Sequence, residues 1–253
     1  MNALATAFVA FAGCFGAALA GMALRFKVPD SHLDGDSRDV VKLVMGLMAT
    51  MSALVLGLLI ASAKSSHDTQ VSEMQLISAH IVQLDRILAL YGPEAQGARD
   101  IFKQTVTIAH EQIWPPDDRQ PSSLNPKSMR GQADAFYKSL QNLSPQTEAQ
   151  RRGQSAALEL AASVGQTRAL MFEQLDGSVS WPLLTVLIFW VSMIFLGFGL
   201  FARFHLTTNV ALIVGAVAVA SAIFLIMELS QPYAGSMRIS DASFRSALDQ
   251  MDR

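Results

Sequence analysis

Side chains able to do chemistry are few in this chain and poorly arranged for it. The five histidines are His32, His67, His80, His110 and His205, and none is followed by a second histidine four residues on. A helical zinc site needs that spacing to bring two imidazoles onto one face, so catalytic zinc has no support. The densest set of hard ligands is Asp30, His32, Asp34, Asp36 and Asp39, with Gly35 among them. Oxygen ligands this close invite a calcium reading. Counted from Asp30, Gly35 falls on the obligatory turn of an EF-hand loop. His32 then occupies a ligand position, however, and Val41 stands where the bidentate glutamate belongs. Asp30, Asp34 and Asp36 are weak metal candidates. A solvated acidic turn is the better reading, with a cation-attracting vestibule as a third. No glycine-rich phosphate loop or nucleophile elbow occurs. Neither an enzyme nor a bound cofactor is expected.

The elements that would position any site follow from the charge distribution. Only 16% of the 253 residues are charged, against about 25% in ordinary soluble domains. Four stretches lack charge altogether: 4–24, 43–63 and 182–202, each 21 residues, and 210–227, 18 residues. At about 1.5 Å per residue each spans roughly the 30 Å hydrocarbon core of a bilayer. The expected architecture is therefore all-α. Four transmembrane helices (about 4–24, 43–63, 182–202 and 210–227) carry a helical domain inserted between the second and third. In domain terms, 1–64 is a first transmembrane hairpin, 65–180 a soluble helical domain, 181–229 a second hairpin and 230–253 a tail. The first span is read as retained rather than cleaved, because nothing basic precedes it. The net charge of −2 offers no basic face for nucleic acid. Cys14, the single cysteine, reads as a small packing residue.

Four spans leave both termini and the inserted domain on one side. The positive-inside rule does not choose that side. Arg25, Lys27, Arg38, Lys42 and Arg203 flank the short connections, against Lys64, Arg168, Arg238 and Arg245 opposite. Within the inserted domain, Val71, Met74, Ile77, Ile81, Leu84, Leu88 and Tyr91 form a helical apolar stripe that Gly92-Pro93 stops. A second helix over 94–113 is expected to use Ala98, Ile101, Thr105 and Ile108. A proline-rich loop over 115–128 follows, then a short helix over 129–143. Ser144-Pro145 is read as the cap of a long helix reaching about 176, close to 50 Å. This helix leads toward the third span, either as a rigid stalk or as a lever.

The second span has the clearest pattern. Asp39, Leu43, Gly46, Thr50, Ala53, Gly57, Ala61 and Lys64 share one small or polar face, charged at both ends. Val41, Val44, Met45, Met48, Val55, Leu56 and Leu59 share the opposite, bulky face, which suits lipid. Small residues serve close helix packing or a pore wall; packing is the slightly favoured reading of the residues alone. Glu228, at the end of the fourth span, either marks the interface or pairs with Arg238 or Arg168.

The segment from Glu228 to Ser240 resembles the signature that follows the last span of bestrophin-like bacterial membrane proteins. Glu228, Pro232, Tyr233, Gly235 and Ser240 match it, while Ser230 and Gln231 depart from it. Glu73 after the second span, and the ending Glu111-Gln112-Ile113-Trp114-Pro115, resemble a second family feature, with two residues inserted before Trp114. The resemblance implies a pentameric anion channel of the cell membrane, with both termini and the inserted domain cytoplasmic and the second span lining the pore. By that resemblance Asp39, Leu43, Gly46, Thr50, Ala53, Gly57 and Lys64 face the axis, Lys64 ringing the cytoplasmic mouth and Asp39 the external one. Family necks are bulky, whereas this face offers only Leu43. The acidic external residues leave cation passage open. The expected partners are the lipid bilayer, further copies of the chain and small ions. The alternative is a membrane-anchored scaffold or sensor whose helices bind a partner, without conduction.

Overall fold

The structure, a computed structural model, describes residues 2–27, 35–115, 126–176, 180–202 and 205–251. Every regular element among them is helical: α1 (Ala3–Arg25), α2 (Gly35–Tyr91), α3 (Gln96–Ile113), α4 (Pro126–Gln141), α5 (Glu148–Asp176), α6 (Trp181–Phe201), α7 (Leu206–Leu229) and α8 (Ala242–Met251). Four of these, α1, α2, α6 and α7, are long and apolar enough to cross a membrane. A helix satisfies its own backbone polar groups, which hydrocarbon demands of any spanning segment. The chain divides into two compact units, Met1–Ser66 with Gly177–Ser230, and His67–Asp176 with Gln231–Arg253.

In the first unit, α1 supplies the small residues for close packing. Ala3, Ala10, Cys14 and Ala18 are buried, as expected for Cys14. A side-chain carbon at Gly21 would collide with the Leu196 carbonyl, and one at Gly199 with the Ala18 carbonyl. The backbones of α1 and α6 therefore cross in contact, as small residues permit between spans. Arg25 closes the junction by donating to the Phe201 and Ala202 carbonyls at 3.4 and 2.9 Å. These are the unpaired acceptors at the end of α6, where a cation is favoured.

The second span packs the other way round from the sequence expectation. Met45, Ser52, Leu59 and Ala63 are buried, and Met48, Val55, Leu56 and Ile60 partly so. Of the face expected to meet lipid, Met45 and Leu59 are thus buried inside the chain and Met48, Val55 and Leu56 partly so, while Val41 and Val44 are exposed. Met45 shows why: its side chain fills the space over Gly197, where a side-chain carbon would sit 2.5 Å from Sδ. With the glycine on α6, the large side chain must come from α2.

In the second unit, the stripe of Met74, Ile77, Ile81, Leu84, Leu88 and Tyr91 is buried as expected, and α2 ends at Tyr91. Gly92 makes the turn with φ +117°, a conformation open to glycine. Helix α3 differs from expectation. Its core side is Ala98, Phe102 and Val106, whereas Ile101 is exposed and Thr105 and Ile108 only partly covered. Phe102 decides the rotation, because its ring stacks on Phe136 of α4 at 4.6 Å and buries more apolar area than Ile101 could.

The cap of α5 is also displaced from Ser144. The Thr147 hydroxyl accepts from the Gln150 N–H at 3.1 Å, while Gln150 Oε1 accepts from the Thr147 and Gln146 N–H groups. This reciprocal capping box starts the helix at Glu148 and leaves Pro145 outside. An ion pair unforeseen in the sequence joins α2 to α3: Arg99 donates to both Asp85 oxygens at 2.6 and 3.0 Å. Asp85 is buried, and Arg99 also reaches the Met251 carbonyl at 3.4 Å.

Replacing Gly199 by Leu is expected to abolish recovery of folded protein from membranes, measured by monodisperse elution in detergent, because the Ala18 backbone has nowhere to move. Replacing Arg99 by Met is expected to lower stability by about 3 kcal/mol, the usual cost of stranding a buried charge, measured by denaturant unfolding followed at α3.

Candidate functional site

Two arrangements bear on function, one in each unit. In the first, the face of α2 carrying Asp39, Leu43, Gly46, Thr50, Ala53, Gly57, Ala61 and Lys64 is exposed along its whole length. Added side-chain carbons at Gly46 and Gly57 would meet nothing within 4 Å. Close packing inside the chain is therefore not what keeps these residues small; that role belongs to α1, Gly197 and Gly199. Asp39 and Lys64 lie about 38 Å apart along the helix, which sets both charges beyond a hydrocarbon core of about 30 Å. Asp39 accepts from Lys42 at 3.0 Å. The Thr50 hydroxyl donates to the Gly46 carbonyl at 3.0 Å, so it offers lone pairs outward. A third face, with Leu47, Leu54 and Leu58, is also exposed and is wholly apolar.

In the second unit the tail folds back onto the helices. Pro232 is buried, and its carbonyl accepts from the Ile239 N–H at 2.7 Å. Gly235, at φ +81°, turns the loop between them. The Trp114 indole N–H donates to the Ile239 carbonyl at 3.0 Å, and a His67 ring nitrogen lies 3.2 Å from the Met237 carbonyl. The Ser240 hydroxyl accepts from the Ala242 N–H at 3.2 Å and starts α8. Phe244 of α8 then packs beside Trp114 and His110, with ring centroids 5.6 and 5.9 Å away. Asp241 holds Arg245 at 2.6 Å, and its carboxylate lies 3.4 Å from His110 Nε2.

Glu73, far away in sequence, belongs to the same arrangement. Its Oε1 accepts from Gln174 at 3.1 Å, and Oε2 is buried without a hydrogen-bond partner. Burial pushes the Tyr233 phenol well above its ordinary pKa, and the charge of Glu73 adds to the shift. The structure thus gathers Glu73, Trp114 and the tail residues Pro232, Tyr233, Gly235 and Ser240 into one unit. Glu228 is buried at the end of α7. The acidic turn gives less. Asp30 and Asp34 lie outside the described residues, and Asp36 is described by its backbone alone.

Sequence reasoning missed Asp85, Arg99, Asp241 and Gln174, which hold the second unit together. Ser240 followed by Asp241 just before an apolar helical turn was a legible capping signal. The second unit also holds a largely apolar cavity of about 320 Å³, bounded by α2 to α5, the tail and α8, with Asp134, Tyr137, Arg168 and Tyr233 among its lining.

Four helices long and apolar enough to cross a membrane, among described elements that are all helical, suggest an α-helical membrane protein. A family model described as the bestrophin-like domain matches residues 12–244, and the chain belongs to the bestrophin-like family. No curated protein and no solved structure shows a match. The family includes anion channels and is known for channels rather than enzymes.

The raised pKa of Tyr233 has a consequence for stability. A phenol held protonated by the fold contributes fully below its unfolded pKa of about 10, and that contribution fades as pH rises further. The melting temperature in detergent is expected to fall above about pH 10, and less steeply in Tyr233→Phe. Equal alkaline slopes in the two proteins would contradict this assignment.

Proposed function

We propose that this protein is a homo-oligomeric ion channel of the cell membrane in which the small face of α2 lines a central pore. The family supplies the default of a pentamer conducting anions, with the second unit and both termini cytoplasmic. The observation that carries the reading is the open space over Gly46 and Gly57. Their smallness is left unexplained by packing within one chain, and copies arranged around an axis would use it to keep a passage open. The exposed Leu47, Leu54 and Leu58 then suit contact with neighbouring copies or lipid.

The lining implies a mixed selectivity. Lys64 forms a basic ring at one mouth and favours anions there. Asp39 at the other mouth and the outward lone pairs of Thr50 favour cations. An anion gains the Thr50 hydroxyl only when it releases the Gly46 carbonyl, a bond worth about 1 kcal/mol.

A second reading, a membrane-anchored sensor without conduction, draws support from the cavity in the second unit, whose volume and apolar lining suit a small molecule. Reconstitution separates the two. Purified protein in liposomes is expected to pass chloride down a gradient. Gly57→Trp is expected to reduce the flux at least about tenfold, Lys64→Gln to shift permeability toward cations, and Thr50→Ala to alter the anion-to-cation ratio. No flux of any small ion would overturn the channel and leave the sensor.

A further inference from the structure

At the end of the first unit where α1 and α6 finish and α2 and α7 begin, the structure leaves a groove of about 550 Å³. Its walls are apolar, formed by Met45, Phe198, Phe201, Ala211 and Leu212, and its lip carries Lys42 and Thr208. Beside it the Arg38 guanidinium lies over the Phe201 ring, 5.6 Å from the centroid. We propose that this groove binds an anionic phospholipid, its acyl chain along the apolar wall and its phosphate between Lys42 and Arg38.

Three features select that occupant. First, the groove sits on helices long and apolar enough to span a bilayer, with its cations near the helix ends, so an apolar floor and a charged lip occur in the order in which a lipid presents tail and headgroup. Basic pockets between spanning helices suit anionic headgroups for this reason. Second, the cations keep donors for an anion. Lys42 gives one contact to Asp39 at 3.0 Å, and an ammonium has three donors. Arg38 uses the face of its guanidinium on Phe201, which leaves the N–H groups at its edge. Third, the carbonyls ending α6 do not compete, because Arg25 already occupies those of Phe201 and Ala202. A zwitterionic lipid would bring its own ammonium toward Lys42 and Arg38. Asp39 opposes the phosphate, but its charge is met by Lys42 at 3.0 Å. Neither Arg38 nor Lys42 belongs to the small face of α2, although Lys42 pairs with Asp39 of that face.

The test uses the purified full chain in detergent, with bound lipid counted by native mass spectrometry after addition of phosphatidylglycerol or phosphatidylcholine. Wild type is expected to retain phosphatidylglycerol in preference to phosphatidylcholine. Substituting Arg38→Gln and Lys42→Gln together is expected to reduce that retention about 25-fold, at about fivefold for each basic residue removed from an anionic surface. Lys27→Gln, which removes an exposed cation after α1 that does not line the groove, is expected to leave the preference for phosphatidylglycerol in place. Should the double variant not be recovered folded, Ala211→Phe fills the groove without removing charge and is expected to abolish retention. Equal retention of the two lipids, or an equal loss in Lys27→Gln, would overturn the site. So would displacement of phosphatidylglycerol by inorganic phosphate alone, since that would reduce the groove to a free-anion site.

Discussion

The contact between the backbones of α1 and α6 is the constraint on which the membrane unit rests. Gly21 and Gly199 remove the side chains that would hold the two helices apart, each opposite a carbonyl of the other helix. Lipid tails are as apolar as leucine, so spans gain by close van der Waals fit rather than by leaving solvent. Once α1 and α6 lie this close, the remaining space beside α6, at Gly197, takes a long side chain from α2, and Met45 fills it. That choice turns Met45, Ser52, Leu59 and Ala63 inward and leaves open space over Gly46 and Gly57 on the small face of the same helix. The candidate pore wall is thus a consequence of packing elsewhere in the unit.

The second unit rests on different physics. It is built from amphipathic helices, and its core is an ordinary apolar cluster reaching from Met74 to Met251. Polar devices fix its geometry. Asp85 and Arg99 tie α2 to α3 while Arg99 also reaches the end of α8, and Trp114 pins the tail through the Ile239 carbonyl. Such bonds contribute modestly when made and cost more when one partner is stranded in a buried place. Tyr233, partly buried and under the charge of Glu73, is held toward its neutral phenol form. Of the two features that suggested the family, the tail residues from Pro232 to Ser240 and the residues Glu73 and Trp114 belong to the same unit.

Several residues show where reading the sequence reached its limit. The stripe from Met74 to Tyr91 was legible because six buried apolar positions recur at helical spacing and Gly92-Pro93 marks the stop. Helix α3 has two overlapping apolar stripes, and only the stacking of Phe102 on Phe136 decides between them. At the start of α5, Ser144-Pro145 and Thr147 with Gln150 are rival capping signals, and the capping box satisfies more backbone donors. Asp85 and Arg99 lie in different helices, 14 positions apart in the chain, a separation that no helical spacing reveals.

The sequence by itself determined the four spans, the all-helical class and the family, because charge depletion over about 20 residues and short motifs are local properties. Backbone satisfaction in hydrocarbon then leaves a helix as the outcome. The same sequence showed that α2 has a small face and a bulky one, but assigned the bulky one to lipid. Only the tertiary structure turned it inward, because the face that is buried depends on the glycines of a neighbouring helix more than 130 residues away, and periodicity along one helix carries no record of its neighbour.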